Sequence, residues 1–109
     1  MAFSEELALR VRQSLGEQAG ITERKMFGGL CFMVNGNMLG GVMGDEIIVR
    51  VGAEGYENTL ELPHARKMDF TGRPMRGFVV VSPEGIDLDE GLDEWVERGL
   101  KFAVSLPPK

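Results

Sequence analysis

Few side chains in this sequence could carry chemistry: one histidine (His64), one cysteine (Cys31), and two pairs of carboxylates four residues apart, Asp89 with Asp93 and Glu90 with Glu94. A lone histidine rules out a multi-histidine metal centre and any two-histidine acid–base scheme. A lone cysteine rules out an internal disulfide and a four-cysteine zinc site. A nucleophilic Cys31–His64 pair would need a thiol in polar, partly exposed surroundings. Cys31 instead sits in the apolar run "LCFMV", which predicts a small core residue, with His64 on a surface loop. The carboxylate pairs can share a helix face, but no calcium-loop pattern accompanies them, and acids at a helix start are favoured by the helix dipole alone. No catalytic residue, metal ligand or cofactor site is therefore assigned.

The stretch "RKMFGGLCFMVNG", residues 24–36, offers a glycine pair beside two cations, the raw material of a phosphate cradle. Such a cradle uses consecutive backbone N–H groups where a helix opens, usually with a lysine and a hydroxyl residue. Here the pair leads into a strand pattern and matches neither glycine-rich phosphate motif. A bulge or sharp bend is the expected role of Gly28 and Gly29, and Gly40 and Gly41 are expected to permit a kink or the close approach of a helix.

One segment has the composition of a contact surface. Residues 64–76, "HARKMDFTGRPMR", hold four cations against the single acid Asp69. Cations beside apolar anchors recur at protein interfaces and on nucleic-acid surfaces. The candidate interaction surface is Arg66, Lys67, Phe70, Arg73, Met75 and Arg76. Residues 84–97 hold seven acids and no base, so the net charge of −5 conceals a basic segment and an acidic helix. The overall balance argues against a dedicated nucleic-acid footprint, and no base-reading helix or zinc finger supports duplex recognition.

The elements that must position these residues are readable from period and punctuation. "FSEELALRVRQSLG" predicts a helix, with Ser4 as N-cap, Glu5 and Glu6 in the first turn, and Leu7, Val11 and Leu15 on one face. "LCFMV", "NMLGGVM" and "EIIVRV" are separated by the two-residue turns Asn35-Gly36 and Gly44-Asp45, which predicts a three-strand antiparallel meander. In the last of these Ile47, Val49 and Val51 share one face, Glu46 and Arg50 the other, and Ile48 breaks the alternation. "MRGFVVV" predicts a central fourth strand. Residues 52–74 read as a long connection of functional length. The last helix is expected to take its cap from Asp87 or Asp89, with Leu88, Leu92, Trp95, Val96, Gly99, Phe102, Ala103 and Leu106 as its apolar stripe and "LPPK" as its stop. The methionines are expected mainly as core filler.

The expected fold class is α+β: a two-layer sandwich in which an antiparallel sheet of four to five strands carries the N- and C-terminal helices on one face. With 109 residues and 43% hydrophobic content, a single domain over residues 1–109 is expected. The absence of a disulfide framework, a signal peptide and a membrane-spanning apolar run predicts a cytoplasmic protein with no membrane partner.

The stretches "RKMFGGLCFMVNGNMLGGVMGDEIIVRV", "MDFTGRPMRGFVVV" and "LDEWVERGLKFAVSLPPK" together resemble the TfoX/Sxy N-terminal domain family, named for a bacterial regulator of natural competence. Its most specific pieces here are Met26-Phe27-Gly28-Gly29, Gly36 with Met38, Gly72-Arg73-Pro74-Met75, and the tryptophan-bearing last helix. The resemblance implies a two-layer α/β domain and no established catalytic residues. It also implies an inherited link to transcription and competence control. The expectation is a non-catalytic interaction module with a protein partner, transcription machinery being the inherited candidate, and with a homodimer allowed by open edge strands. The alternative is a small-molecule-binding protein or enzyme using a cleft between the sheet and the 52–74 connection.

Overall fold

Ser4 opens the first helix as its type predicts: its Oγ accepts from the Leu7 N–H at 3.1 Å, in front of α1 (Glu5–Leu15). The structure, a computed structural model, describes residues 3–26, 28–70 and 73–108, without the side chains of residues 69, 70 and 73–75. The chain continues through β1 (Ile21–Met26), β2 (Gly29–Val34), β3 (Asn37–Met43), β4 (Glu46–Arg50), α2 (Gly52–Leu60), β5 (Ala65–Phe70), β6 (Arg73–Val81), a 3-10 turn (Pro83–Gly85) and α3 (Asp89–Val104). All strand pairs are antiparallel, in the order β1-β2-β3-β4-β6-β5.

The expected meander is present as β2, β3 and β4, and β6 is central as its apolar run predicts. The sheet has six strands rather than four to five. It gains β1, and the 52–74 connection is largely ordered as α2, β5 and the start of β6. The glycine pair at 28–29 is a bend. Gly28 takes φ +76° between β1 and β2, a left-handed conformation that suits glycine. Asn35 (φ +53°) and Gly36 (φ +84°) make the tight hairpin turn between β2 and β3.

Residues directly opposite one another in neighbouring strands point to the same side of a sheet, so the register sorts the faces. Phe32, Val34, Val42, Ile47, Val49, Val79 and Val81 form one core with Leu7, Val11 and Leu15 of α1, Tyr56 of α2, and Leu92, Trp95, Val96 and Ala103 of α3. All three helices thus share one face of the sheet. α3 rides close over β3, where the register shifts between Phe32 and Met33 and adds Leu39 as an extra residue. The contact is made at Gly99, where a Cβ would overlap the Leu39 carbonyl oxygen.

Two details of α3 differ from expectation. Its N-cap is Leu88, which supplies no side-chain acceptor, so neither Asp87 nor Asp89 caps it. Leu88 also leaves the apolar stripe and stands 72% exposed, because the helix begins after it and its side chain projects from the cap.

Candidate interaction surface

The second face of the sheet carries no helix among the described residues, yet its floor is apolar. The register places Arg24, Cys31, Gly41, Ile48, Val80 and Arg66 side by side across six strands. Beside this row lie Met33 and Met38 toward one end, and Met26, Met43 and Glu46 toward the other. Cys31 (3% exposed), Ile48 (5%) and Met68 (4%) are buried but lie outside the main core. This explains why Ile48 breaks the alternation of its strand: it serves a second, smaller apolar cluster.

Four of the methionines expected as core filler are not, while Met68 is buried. Met26, Met33, Met38 and Met43 are half-buried, and none belongs to the main core. They lie on the helix-free side because the core facing the helices is filled by branched and aromatic side chains.

Near β5 this face opens into a recess of about 160 Å³, lined by Met43, Ile48, Met68 and Val80 with Glu46, Arg66 and Lys67 at the rim. Arg66 donates from Nη1 and Nη2 to Glu46 Oε2 and Oε1 at 2.6 and 2.7 Å. This two-point bond raises the Arg66 pKa above its ordinary value. Of the expected surface, Arg66, Lys67 and Arg76 are exposed on neighbouring strands. The backbones of Phe70 and Arg73 face each other across the β5–β6 pair. The side chains of Phe70, Arg73 and Met75 lie outside the description, as do Phe27 and Gly72 of the family-like motifs.

The remaining chemical candidates stay apart. Three strands separate β2, which carries Cys31, from the edge strand β5 that follows His64. Burial raises the Cys31 thiol pKa, the opposite of nucleophile activation. Asp89 accepts from Arg10 Nη2 at 3.1 Å, and Asp93, Glu90 and Glu94 are exposed. No group of three or more possible metal ligands occurs among the described residues. No described helix is long and apolar enough to cross a membrane. A second hollow, of about 370 Å³, lies between α2 and α3, lined by Val51, Thr59, Arg98, Lys101, Phe102 and Ser105.

Sequence reasoning missed Met43, Glu46, Ile48 and Val80 as parts of the surface. Their signal was present in the double-sided apolar run of β4, but the strand that completes the recess, β5, reads as a charged loop.

No curated protein and no solved structure matches this chain. The family model for the TfoX N-terminal domain matches residues 5–103, from the first residue of α1 to the last turn of α3. The two-layer arrangement just described is thus the fold of the matched region, and the chain belongs to the TfoX N-terminal domain family.

Proposed function

We propose that this protein is a non-catalytic protein-interaction module of the TfoX/Sxy type, acting in transcriptional or competence control through the basic β5–β6 side of its sheet. One observation carries the reading: helices cover a single face, and the other offers an apolar recess bordered by the Arg66–Glu46 pair and by Lys67. Interfaces are built this way, with apolar anchors inside and a polar margin. Affinity capture from the native lysate, comparing wild type with Lys67→Glu/Arg76→Glu, tests it. Loss of a specific transcription-related protein at unchanged melting temperature is expected. Equal retention by both forms would remove these residues from the reading.

A second reading, a small-molecule binder or enzyme, draws on the hollow between α2 and α3, where Arg98 and Lys101 flank the apolar Val51 and Phe102. A thermal-shift screen with a metabolite library separates the two. A specific ligand raises the melting temperature, and a pure interaction module gives a flat response.

A further inference from the structure

Two arginines among the described residues are half-buried, Arg10 and Arg50, and only the first meets a carboxylate. Arg10 donates to Asp89 and to two backbone carbonyls. Arg50, the last residue of β4, forms no ion pair among the described residues, although the chain holds 17 acids. A partly buried charge normally has a partner, because desolvation disfavours it.

The surroundings hold this guanidinium without neutralising it. Its Cζ lies 5.6 Å from the centre of the Phe78 ring and 5.4 Å from that of Phe102, and Nη1 donates a long bond of 3.4 Å to the Met38 carbonyl. Two glycines in left-handed conformations bring the rings in. Gly52 (φ +83°) lets Phe102 pack where a Cβ would overlap its ring, and Gly77 (φ +94°), just before Phe78, accepts from the Val51 N–H at 2.8 Å. The Arg50 Nε and Nη2 have no acceptor among the described residues, yet neither is a buried unpaired atom, so this edge of the guanidinium faces solvent. A fixed edge with parallel N–H groups to spare is the geometry that takes a carboxylate in two bonds.

The class of anion follows from charge and neighbourhood. One positive charge between two rings balances a monoanion, whereas a phosphate dianion would leave a charge uncompensated beside apolar groups. Phe102 and Val51, the residue after Arg50, also form the apolar floor of the hollow between α2 and α3, whose volume of about 370 Å³ accommodates a small ring or a short acyl chain. Arg98 and Lys101 of that hollow border Glu94 and Glu97 on their other side, so the selection of an anion rests on Arg50.

We propose that Arg50 binds the carboxylate of a small organic acid whose apolar body lies over Phe102 in the α2–α3 hollow. This rests on the small-molecule reading of that hollow, and adds the class of ligand and the residue that selects it.

An NMR titration of the isotope-labelled full chain with sodium benzoate tests this, against sodium chloride at equal ionic strength and against neutral benzyl alcohol. Benzoate is expected to give a saturable shift of the Arg50 Nε–H signal together with the Thr59 and Ser105 amides, and benzyl alcohol to bind about tenfold more weakly or worse. Arg50→Lys keeps the charge and loses the fork, so it should weaken benzoate binding by about tenfold or more, read at the same two amides. Circular dichroism verifies that the variant is folded, and the benzyl alcohol comparison needs no variant. Saturable shifts at Thr59 and Ser105 with the Arg50 signal unmoved overturn the role of Arg50 and leave the hollow as a binding site. No saturable shift at either place, or the same shifts with chloride, overturns both. Equal binding of benzyl alcohol overturns the carboxylate assignment, as does unchanged affinity in Arg50→Lys.

Discussion

Arg66 of β5 reaches past Val80 of β6 to hold Glu46 of β4 with two parallel hydrogen bonds of 2.6 and 2.7 Å. The pair ties together three strands, including the edge strand that closes the recess. Its side chains are 54% and 27% exposed, so solvent discounts its strength. A double-mutant cycle with Arg66→Ala and Glu46→Ala, followed by urea denaturation, is expected to give a coupling of about 0.5–1 kcal/mol. The coupling should shrink in high salt.

Arg12 and Glu23 make the equivalent bond on the helix side. Arg12 Nε and Nη2 donate to Glu23 Oε2 and Oε1 at 2.7 and 2.8 Å, anchoring α1 to the edge strand β1. Hydrogen bonding to Arg12 holds the Glu23 carboxyl below its ordinary range. A depressed folded-state pKa means that the unfolded chain binds more protons in the window between the two values. The contribution is therefore complete above the unfolded carboxyl pKa and is lost as pH falls through the folded one. Chemical denaturation across the acid range should show a smaller loss of stability on acidification in Glu23→Gln than in wild type.

Gly99→Ala should invert the usual helix rule. Alanine ordinarily improves a helix interior by about 1 kcal/mol over glycine. Here the added methyl meets the Leu39 carbonyl, part of a backbone that cannot swing aside. Thermal unfolding is expected to show a net loss of about 1–3 kcal/mol. A gain would mean that α3 can lift from β3 freely.

Leu88→Ser should stabilise the fold by supplying the missing cap. A serine at the cap can accept a bond from the first turn of α3, so the protein should gain about 0.5–1 kcal/mol by denaturant titration. A leucine kept only for packing within its own chain would show a loss.

Tyr56 of α2 is buried in the core, and its hydroxyl has no partner among the described residues. An unpaired buried hydroxyl costs free energy that a phenylalanine does not. Tyr56→Phe is expected to leave stability unchanged or raise it by up to about 1 kcal/mol, read by thermal or urea unfolding.

The parts of the fold legible in the sequence are those where one signal dominates. Ser4 caps α1, Asn35-Gly36 turns the β2–β3 hairpin, and the run ending in Val79 and Val81 reads as a central strand. The parts that were not legible are those where signals conflict. β1 is "ITERKM", an edge strand whose four central residues are all exposed, so it lacks alternation. α2 is "GAEGYENTL", whose two glycines lower its helix propensity and whose packing on β6 does the rest. β5 is charged along its outer edge and looks like a loop until β6 pairs with it. The candidate surface was half legible for the same reason: Arg66, Lys67 and Arg76 stand out by charge, but the recess beside them is assembled from four strands.

The division of the sheet into a helix-covered side of branched and aromatic residues and an open side of thioethers has a chemical consequence. Oxidation of a methionine to its sulfoxide turns an apolar side chain polar and is reversible by dedicated reductases. Here Met26, Met33, Met38 and Met43 all lie outside the main core. A peroxide pulse would rewrite the polarity of the open face, whereas the core that holds the helices to the sheet contains no sulfur among the described residues, so the open face is the more oxidant-sensitive of the two.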